Sequence, residues 1–522
     1  MFLFPMSLLF AENTTHGPVD VSPALQHDVS PPLGSMSASS PGAQSHREKP
    51  LRLIPQNQLV NNAPDGALQL SSGNPIAVAT TNGRNFAGVG NGDYGFAPNA
   101  APPDTNGAVG ATQYVHWVNE SLAVFNKATG AIAPGFPKAG NTLWAGFGGG
   151  CEVNNDGDPI VQYDKAAGRW VLTQFSVTSP ATYGYLQCVA VSTTSDATGS
   201  YNRYSFSYGG SQFNDYPKLA VWPDAYYVTY NIFNNGSTFA GAKACAFDRT
   251  AMLAGAAATQ QCFQLSTSFG GLLPSDLDGT IAPPAGSPNF LLNFGSNSLN
   301  LWKFHVDFTT AANSTFSGPT NIPVATFNAA CSGGGTCIPQ PGTSQKLDSL
   351  ADRLMYRLAY RHFADGHESL VVNHSVTVSG SKRSSVTGIR WYELRNPAGT
   401  PAVVQQGTFS PDTTDRWMGS IAMDKVGNMA VGYSASSASV YPSIRYTGRL
   451  ATDSPNTLQT ENIILNGGGS QTTNLSRWGD YSAMTIDPVD DCTFWYTTEY
   501  QKSNGTFNWS TRIASFKFPS CQ

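Results

Sequence analysis

The sequence of 522 residues is poor in charge and in long apolar runs. Only 12% of its residues are charged, against roughly 25% in an average soluble protein, and the net charge is −5. This balance excludes a general attraction to nucleic acid or to an anionic membrane surface. No apolar run approaches the ~18 residues that a membrane-spanning helix needs. We therefore expect no nucleic-acid partner and no membrane partner.

Several motifs that mark catalytic or cofactor sites are also missing. The chain has no Gly-x-Ser-x-Gly, no His-Glu-x-x-His and no phosphate-binding glycine loop before a helix pattern. It has no Cys-x-x-Cys, which argues against a zinc knuckle or a thioredoxin-like site. A sustained 3.6-residue apolar period is absent, so a mainly helical fold is excluded. We expect no cofactor.

Features at the start of the chain and its cysteines indicate export. Residues 1–11 are almost wholly apolar and resemble a truncated secretory signal peptide that lacks its positive flank. Eight cysteines would form four nearest-neighbour disulfides in an oxidising compartment, with free buried thiols as the alternative. We predict a secreted, extracellular or periplasmic monomer. The predicted pairs are Cys151 with Cys188, Cys245 with Cys262, Cys331 with Cys337, and Cys492 with Cys521.

Composition divides the rest of the chain into two parts. Residues 12–80 are rich in Pro, Ser, Gly, Asn and Gln, and such a segment buries too little apolar surface to order itself. We predict a disordered linker or propeptide there. Residues 81–522 alternate short β-rich runs with Gly, Asp, Asn and Pro turns, which predicts one all-β domain.

A repeat of about 60 residues runs through the predicted β domain. Each segment begins with a polar cluster, enters a short strand, turns, and enters a second apolar strand. Seven such segments predict a seven-bladed β-propeller of four-stranded antiparallel blades, and a strand from residues 80–100 beside the last blade is expected to close the ring. A β-sandwich with a second β-rich domain is the alternative. The segments begin near Asp104, Asp158, Asp215, Asp276, Asp352, Asp415 and Ser476.

Three arginines occupy one position of this repeat. Arg353, Arg416 and Arg477 are 63 and 61 residues apart and open similar runs. In a propeller, residues at the start of the first strands surround one mouth of the central channel. The planar guanidinium fork suits bidentate binding of carboxylate, sulfate or phosphate, so the arginines are predicted to bind an anion. Alternatively, each arginine pairs with a neighbouring acid, Asp352, Asp415 or Asp480, and joins the blades.

The arginines resemble the triad with which the sialidase superfamily binds a substrate carboxylate. The region from about residue 100 to 522 also resembles a group of secreted bacterial propeller-like proteins. It shares with them the run Pro103–Gly110, the run that begins at Arg416, and Arg477-Trp-Gly-Asp-Tyr-Ser. The Ser-x-Asp-x-Gly-x-x-Trp box of sialidase blades is absent. The resemblance therefore implies propeller architecture and carboxylate binding rather than sialic acid as the substrate.

Acid and tyrosine neighbours are the candidate catalytic groups. A glycosidase needs an acid and a base or nucleophile, and Asp215 with Tyr216 and Asp480 with Tyr481 could supply them. In a lyase, Tyr216, Tyr481 or Lys218 would remove the proton while arginine neutralises a uronate. Asp104, Asp158 and Asp278 are further carboxylates of the first strands, and Asp278 is included with Lys218 among the substrate-binding residues. Each aspartate could instead be a turn residue bonding its own backbone.

A weaker signal concerns metal. The run Asn154-Asn-Asp-Gly-Asp158 places oxygen ligands at alternating positions, as calcium loops do, so Asp156 and Asp158 are weak calcium candidates. An ordinary Asp-Gly turn explains the same pattern.

Together these features favour a secreted carbohydrate-active enzyme, a hydrolase or a polysaccharide lyase. Its substrate would be an anionic polysaccharide or glycan bound at an arginine-lined central mouth. The competing hypothesis is a lectin-like or adhesion propeller that binds glycans or proteins without cleaving them.

Overall fold

A computed structural model describes residues 16–37, 46–55, 63–69, 77–380 and 383–522. These residues are nearly all β-structure in antiparallel sheets, as predicted. Their helices are short: α1 (Gly149–Val153), α2 (Pro180–Tyr183), α3 (Arg249–Ala254) and α4 (Ala330–Gly334), with 3-10 turns at Leu33–Ser35, Asp93–Gly95, Gly140–Trp144 and Ala311–Asn313. No helix in this part of the chain is long and apolar enough to cross a lipid bilayer.

In the described part of the first 105 residues, the strands that precede the repeated sheets are β1 (Asp20–Pro23), β2 (Gln26–Val29), β3 (Arg47–Glu48), β4 (Thr81–Ala87) and β5 (Ala100–Ala101). The following strands form successive antiparallel units, which we number 1 to 7.

The strands of units 1 to 4 are, in order, β6 (Asn106–Val109), β7 (Gln113–Val118), β8 (Ser121–Asn126) and β9 (Lys138–Ala139); β10 (Ile160–Asp164), β11 (Arg169–Ser176), β12 (Leu186–Ser192) and β13 (Tyr201–Ser207); β14 (Gln212–Val221), β15 (Ala225–Asn234), β16 (Thr238–Asp248) and β17 (Thr259–Gln264); β18 (Leu273–Asp278), β19 (Asn289–Gly295), β20 (Ser298–His305) and β21 (Thr315–Pro323). A two-stranded hairpin follows, formed by β22 (Thr336–Ile338) and β23 (Leu347–Asp348).

The strands of units 5 to 7 are β24 (Met355–His362), β25 (Glu368–Gly380), β26 (Arg383–Arg395) and β27 (Ala402–Phe409); β28 (Asp415–Met423), β29 (Met429–Ser436), β30 (Ser443–Arg449) and β31 (Asn462–Leu465); β32 (Ala483–Ile486), β33 (Phe494–Gln501) and β34 (Trp509–Lys517). Each of the seven predicted segment starts lies within or shortly before the first strand of one unit.

The first strands of the units form a closed ring. Each one, from β6 through β10, β14, β18, β24, β28 and β32, contacts the next, and β32 contacts β6. Between units 4 and 5 the contact is a parallel ladder from β18 to β24, which joins the two units into one eight-stranded sheet. Strand β4 pairs with β34 as the outer strand of unit 7, so a strand from residues 80–100 does complete the last unit.

The prediction of disorder for residues 12–80 is wrong for much of the described part. Strand β1 pairs with β17 and β2 pairs with β13, adding a fifth strand to units 3 and 2. Leu68 forms a bridge with Thr408 of unit 5. Composition failed here because backbone hydrogen bonds to existing sheet edges order the segment, which needs little apolar burial of its own.

Four disulfides close within the sheets and loops: Cys151–Cys188, Cys245–Cys262, Cys331–Cys337 and Cys492–Cys521. This is the predicted nearest-neighbour pairing, and it fits an oxidising compartment. The largest apolar cluster extends from unit 2 to unit 7 and includes Trp417 and Trp478, both fully buried.

Candidate functional site

The ring of first strands has a cavity at each end. One cavity, of about 200 Å³, is lined by residues at the start of first strands or just before them, including Asp158, Asp215 and Arg353. The other, of about 460 Å³, is lined by residues at strand ends, including Asp164 and Leu277. We name these ends the near mouth and the far mouth. The common direction of the first strands brings the predicted repeat position to the near mouth.

Two of the three predicted arginines line the near mouth. Arg353 donates from Nε to Asp352 Oδ1 at 2.7 Å and from Nη2 to the carbonyl of Arg52 at 2.9 Å. Arg477 donates from Nη1 to Asp480 Oδ1 at 2.6 Å and to Asp348 Oδ2 at 3.2 Å. Both guanidinium groups therefore form buried ion pairs at the cavity wall. These two arginines line the predicted mouth and also pair with neighbouring acids, so both interpretations of the sequence apply to them.

Arg416 lies elsewhere, so the three arginines do not converge. It is fully buried, donates from Nε to Glu461 Oε2 at 2.8 Å and from Nη1 to Asp412 Oδ1 at 2.9 Å, and is not part of the near-mouth wall. The cause is its position in the strand. Strand β28 begins at Asp415, so Arg416 is already inside the sheet, whereas Arg477 precedes β32 by six residues.

Of the four proposed catalytic residues, Asp215, Tyr216 and Asp480 line the near mouth. Burial raises the pKa of Asp215 to about 6, helped by the charge of Asp158 and opposed by Arg52 and Arg353. Its closest cation is Arg52, at 3.9 Å. Burial also raises the pKa of Asp480, against the pull of its partner Arg477.

The two tyrosines and Lys218 form a buried stack below the cavity. The Lys218 ammonium lies 3.4 Å from the centre of the Tyr216 ring and 3.8 Å from that of Tyr481. Burial lowers the pKa of Lys218 to about 7 despite the nearby carboxylate of Asp158. Burial raises the pKa of both tyrosines well above their usual range. Tyr481 and Lys218 have no exposed surface and lie behind the cavity wall.

Asp278 is at the opposite end of the ring from the other candidates. It ends strand β18 instead of starting it, and its carboxylate accepts hydrogen bonds from Arg357 and lies 3.6 Å from Lys165. The repeat predicts Asp278 near the start of a first strand, whereas the residue lies at the end of one. Because a six-residue strand is roughly 17 Å long, this difference places Asp278 at the far mouth. The prediction that Asp278 binds substrate with the near-mouth residues is not supported by this position.

Backbone strain marks the near mouth. Asp104, Asp158 and Asp480, each shortly before a first strand, and Tyr216, at a register shift within β14, have left-handed φ values of 49°, 47°, 62° and 56°. That conformation costs an L-residue roughly 1–2 kcal/mol. Strained residues gathered in one place are typical of functional sites.

Asp104 adds an unsatisfied carboxyl to this cluster. It is buried, and neither of its oxygens has a hydrogen-bond partner among the described residues. Burial raises its pKa well above the usual range, and the nearby acids Asp158 and Asp480 add to the shift.

The candidate calcium residues make other contacts. Asp156 accepts hydrogen bonds from the backbone of Val177 and Thr178 and from the Thr178 hydroxyl. Asp158 lies 3.4 Å from the ammonium of Lys49. Within the described ranges, no group of three or more His, Cys, Asp or Glu residues is arranged to hold a metal ion.

Sequence reasoning missed a segment that covers the near mouth. Residues 46–55 lie across it and contribute Arg47, Glu48, Lys49, Pro50 and Arg52 to the cavity wall. A signal was present, because three basic residues fall between positions 47 and 52 of an arm otherwise poor in charge.

No protein-family model matches the chain, and no curated protein matches it in sequence. Solved structures similar to it include the N-terminal domain of Nup159, with a TM-score of 0.37 and 7% identity over 91% of this chain and 100% of that one. An ulvan lyase of polysaccharide lyase family PL25 has a TM-score of 0.36 and 11% identity over 84% and 94%. The exo-β-1,3-galactanase 1,3Gal43A from Clostridium thermocellum has a TM-score of 0.29 and 12% identity over 88% and 97%. Glycan-cleaving enzymes are thus among the similar structures, at TM-scores too low to support an argument about this chain.

Proposed function

We propose that the chain is a secreted seven-bladed β-propeller that cleaves an anionic glycan at its near mouth. The seven units would be the blades, and the closed ring of first strands would line the central channel. Pairing of β4 with β34 supports this, because an early strand then closes the ring onto its last unit.

The observation that carries the activity is the arrangement of carboxyl groups in one cavity. Asp215, whose pKa is about 6, shares the near mouth with Asp480, which is held in an ion pair by Arg477. Carboxyl groups whose surroundings differ in this way supply the acid and the base or nucleophile of glycosidases. Asp215 would donate a proton to the leaving oxygen, and Asp480 would act as the base.

Arginine donors at the near mouth support an anionic substrate. Nη1 of Arg353 makes no hydrogen bond within the described part of the chain. Arg477 lies on the same wall and donates from Nε to the carbonyl of Lys49 at 3.1 Å, a contact that an anion could replace. Two guanidinium groups facing one cavity suit a carboxylate or a sulfate.

β-Elimination is the second candidate route to cleavage, and the lowered pKa of Lys218 supports it. A lysine with a pKa of about 7 is half neutral at physiological pH and can accept a proton. It lies directly behind Tyr216, whose ring forms part of the cavity wall. In a lyase, the neutral amine of Lys218 would take the proton of the uronate carbon as the bond to the leaving sugar oxygen breaks, whereas the Tyr216 hydroxyl is engaged by the carbonyl of Asp480 at 3.1 Å.

The test is cleavage of a panel of acidic and neutral polysaccharides, read by new reducing ends and by absorbance of unsaturated uronates. We expect cleavage of an acidic polysaccharide, reduced about 10²- to 10⁴-fold in Asp215→Asn. Absorbance would identify a lyase, and reducing ends without absorbance a hydrolase.

Asp224→Asn is the matched control, because burial also raises the pKa of Asp224 to about 6 but its carboxylate bonds Tyr227 outside the near mouth. Equal losses in the two variants would contradict the role of Asp215. Binding of an acidic glycan that no variant cleaves would favour the lectin-like alternative.

A further inference from the structure

Residues 46–55 are fixed to the near mouth through their backbone. Strand β3 pairs in parallel with β5, and the amide of Lys49 donates to the carbonyl of Ala101 at 2.7 Å. The amide of Ile54 donates to Asp352 Oδ2 at 2.8 Å, on the other side of the mouth. The segment therefore crosses the opening and is attached at both rims.

Its side chains reach into the carboxylate cluster. The Lys49 ammonium donates to Asn119 Oδ1 and to the carbonyl of Asp156, and lies 3.4 Å from Asp158 Oδ1. Glu48 accepts hydrogen bonds from the backbone amides of Ser476 and Arg477 at 2.9 and 3.0 Å. Lys49 thus supplies a positive charge to acids that would otherwise face one another.

The same segment uses groups that the proposed function assigns to the glycan. Arg477 donates from Nε to the carbonyl of Lys49 at 3.1 Å, and Arg353 donates from Nη2 to the carbonyl of Arg52 at 2.9 Å. Two arginines proposed to bind the substrate are therefore partly engaged by the chain itself.

The remaining space is too small for a polymer. The near-mouth cavity measures about 200 Å³. Sites for small molecules commonly measure about 300–1,000 Å³, so this one holds about one sugar ring. Cleavage within a polysaccharide also needs an open path on both sides of the cleaved bond, and residues 46–55 cross the mouth.

We propose that residues 46–55 are a built-in blocking segment, which occupies the glycan site and must leave the near mouth before a glycan chain binds. This inference rests on the proposed function, since it takes the near mouth as the substrate site. The segment acts as a substitute ligand, with Lys49 neutralising the carboxylates and two backbone carbonyls engaging the arginines.

The test is Lys49→Ala in the full chain, followed by hydrogen–deuterium exchange of residues 46–55 and by the polysaccharide panel. Lys127→Ala is the matched control, because Lys127 pairs with Asp487 at 3.0 Å with nearly the same exposures, 15% and 10%, as Lys49 and Asp158, 16% and 8%. We expect Lys49→Ala to speed exchange of the segment and to raise cleavage at least tenfold, and Lys127→Ala to do neither.

The outcomes separate this inference from the proposed function. Faster exchange with slower or unchanged cleavage overturns the blocking role while the enzyme remains, and slower cleavage would make Lys49 part of the working site. If exchange shows that the segment is released and yet no variant cleaves any glycan of the panel, both the proposed function and the blocking role are overturned. If Lys49→Ala leaves the segment protected, Glu48→Ala is added, and protection that survives both changes contradicts the anchoring described above.

Discussion

The near and far mouths of the ring contain the same kinds of charged side chain, but they differ in how completely these side chains are paired. Toward the far mouth, buried behind the residues that line its cavity, Arg357 donates to Asp276 and Asp278 at 2.9 Å each and to the carbonyl of Met484. Arg361 makes a two-pronged pair with Asp491, at 2.8 and 2.7 Å. These guanidinium groups use nearly all their donors on the protein.

At the near mouth, partners are incomplete. The carboxylate of Asp104 has no hydrogen-bond partner among the described residues, and Arg52 approaches Asp215 only at 3.9 Å. The pairing of charged groups is thus complete at the far mouth and incomplete at the near mouth. The far-mouth ions join units 4, 5 and 7, whereas Asp104 and Arg52 lack comparable partners at the near mouth, where we propose that a ligand binds.

The largest expected difference is in stability. Arg357→Ala would leave Asp276 and Asp278 buried without their main counter-charge, which should lower the free energy of unfolding by about 3–5 kcal/mol. Arg52→Ala at the near mouth should cost less than about 1 kcal/mol, because that pair is long and partly exposed. Denaturant unfolding of both variants measures the contrast, and similar losses would abolish it.

The next effect is the pH dependence of cleavage. As the general acid, Asp215 must carry its proton, and its pKa is raised to about 6. The value of kcat/KM should therefore fall about tenfold per pH unit above pH 6. Asp224→Asn should keep this limb of the profile. A rate that stays constant up to pH 8 would show that Asp215 does not act as the acid.

Arg416 sharpens the comparison, because it shares the sequence motif of Arg477 but none of its surroundings. Its loss leaves Glu461 with Arg445 and Tyr433 as partners, so Arg416→Ala should cost about 2 kcal/mol of stability. Cleavage per folded molecule should be unchanged, whereas Arg353→Ala should weaken glycan binding. Loss of cleavage in a folded Arg416→Ala variant would contradict this prediction and would show that Arg416 contributes to the site.

Local patterns predicted the sheets well. Strand starts recur at turn-forming aspartates, and cysteines close in sequence meet across neighbouring strands and loops, so both could be read from spacing. The strand that completes unit 7 was predicted because a propeller must close its ring, which calls for a strand from residues 80–100 beside the last blade.

The site was only partly predictable, because its contacts are distant in sequence. The direction of Arg416 depends on Glu461, 45 residues later, and on a strand that begins one residue before the arginine. Lys49 meets Asp158 across 109 residues, from a segment whose composition predicts disorder. Neither contact leaves a local pattern in the sequence.

The smallest expected effect is on the free energy of unfolding after substitution of Asp104, which should increase stability instead of lowering it. Because burial raises its pKa in the folded state, this carboxyl lowers stability at neutral pH, and stability recovers as the pH falls and the group takes up a proton. Asp104→Asn should therefore raise the free energy of unfolding at pH 7 by about 0.5–1 kcal/mol, a common size for relief of a strained site. The gain should vanish near pH 4, where the wild-type carboxyl is protonated in the folded state. Thermal unfolding of the wild type and of Asp104→Asn between pH 4 and pH 7 measures this difference in stability. A loss of stability in Asp104→Asn at pH 7 would contradict the prediction, because it would mean that the Asp104 carboxylate stabilises the fold as a partner of Lys49.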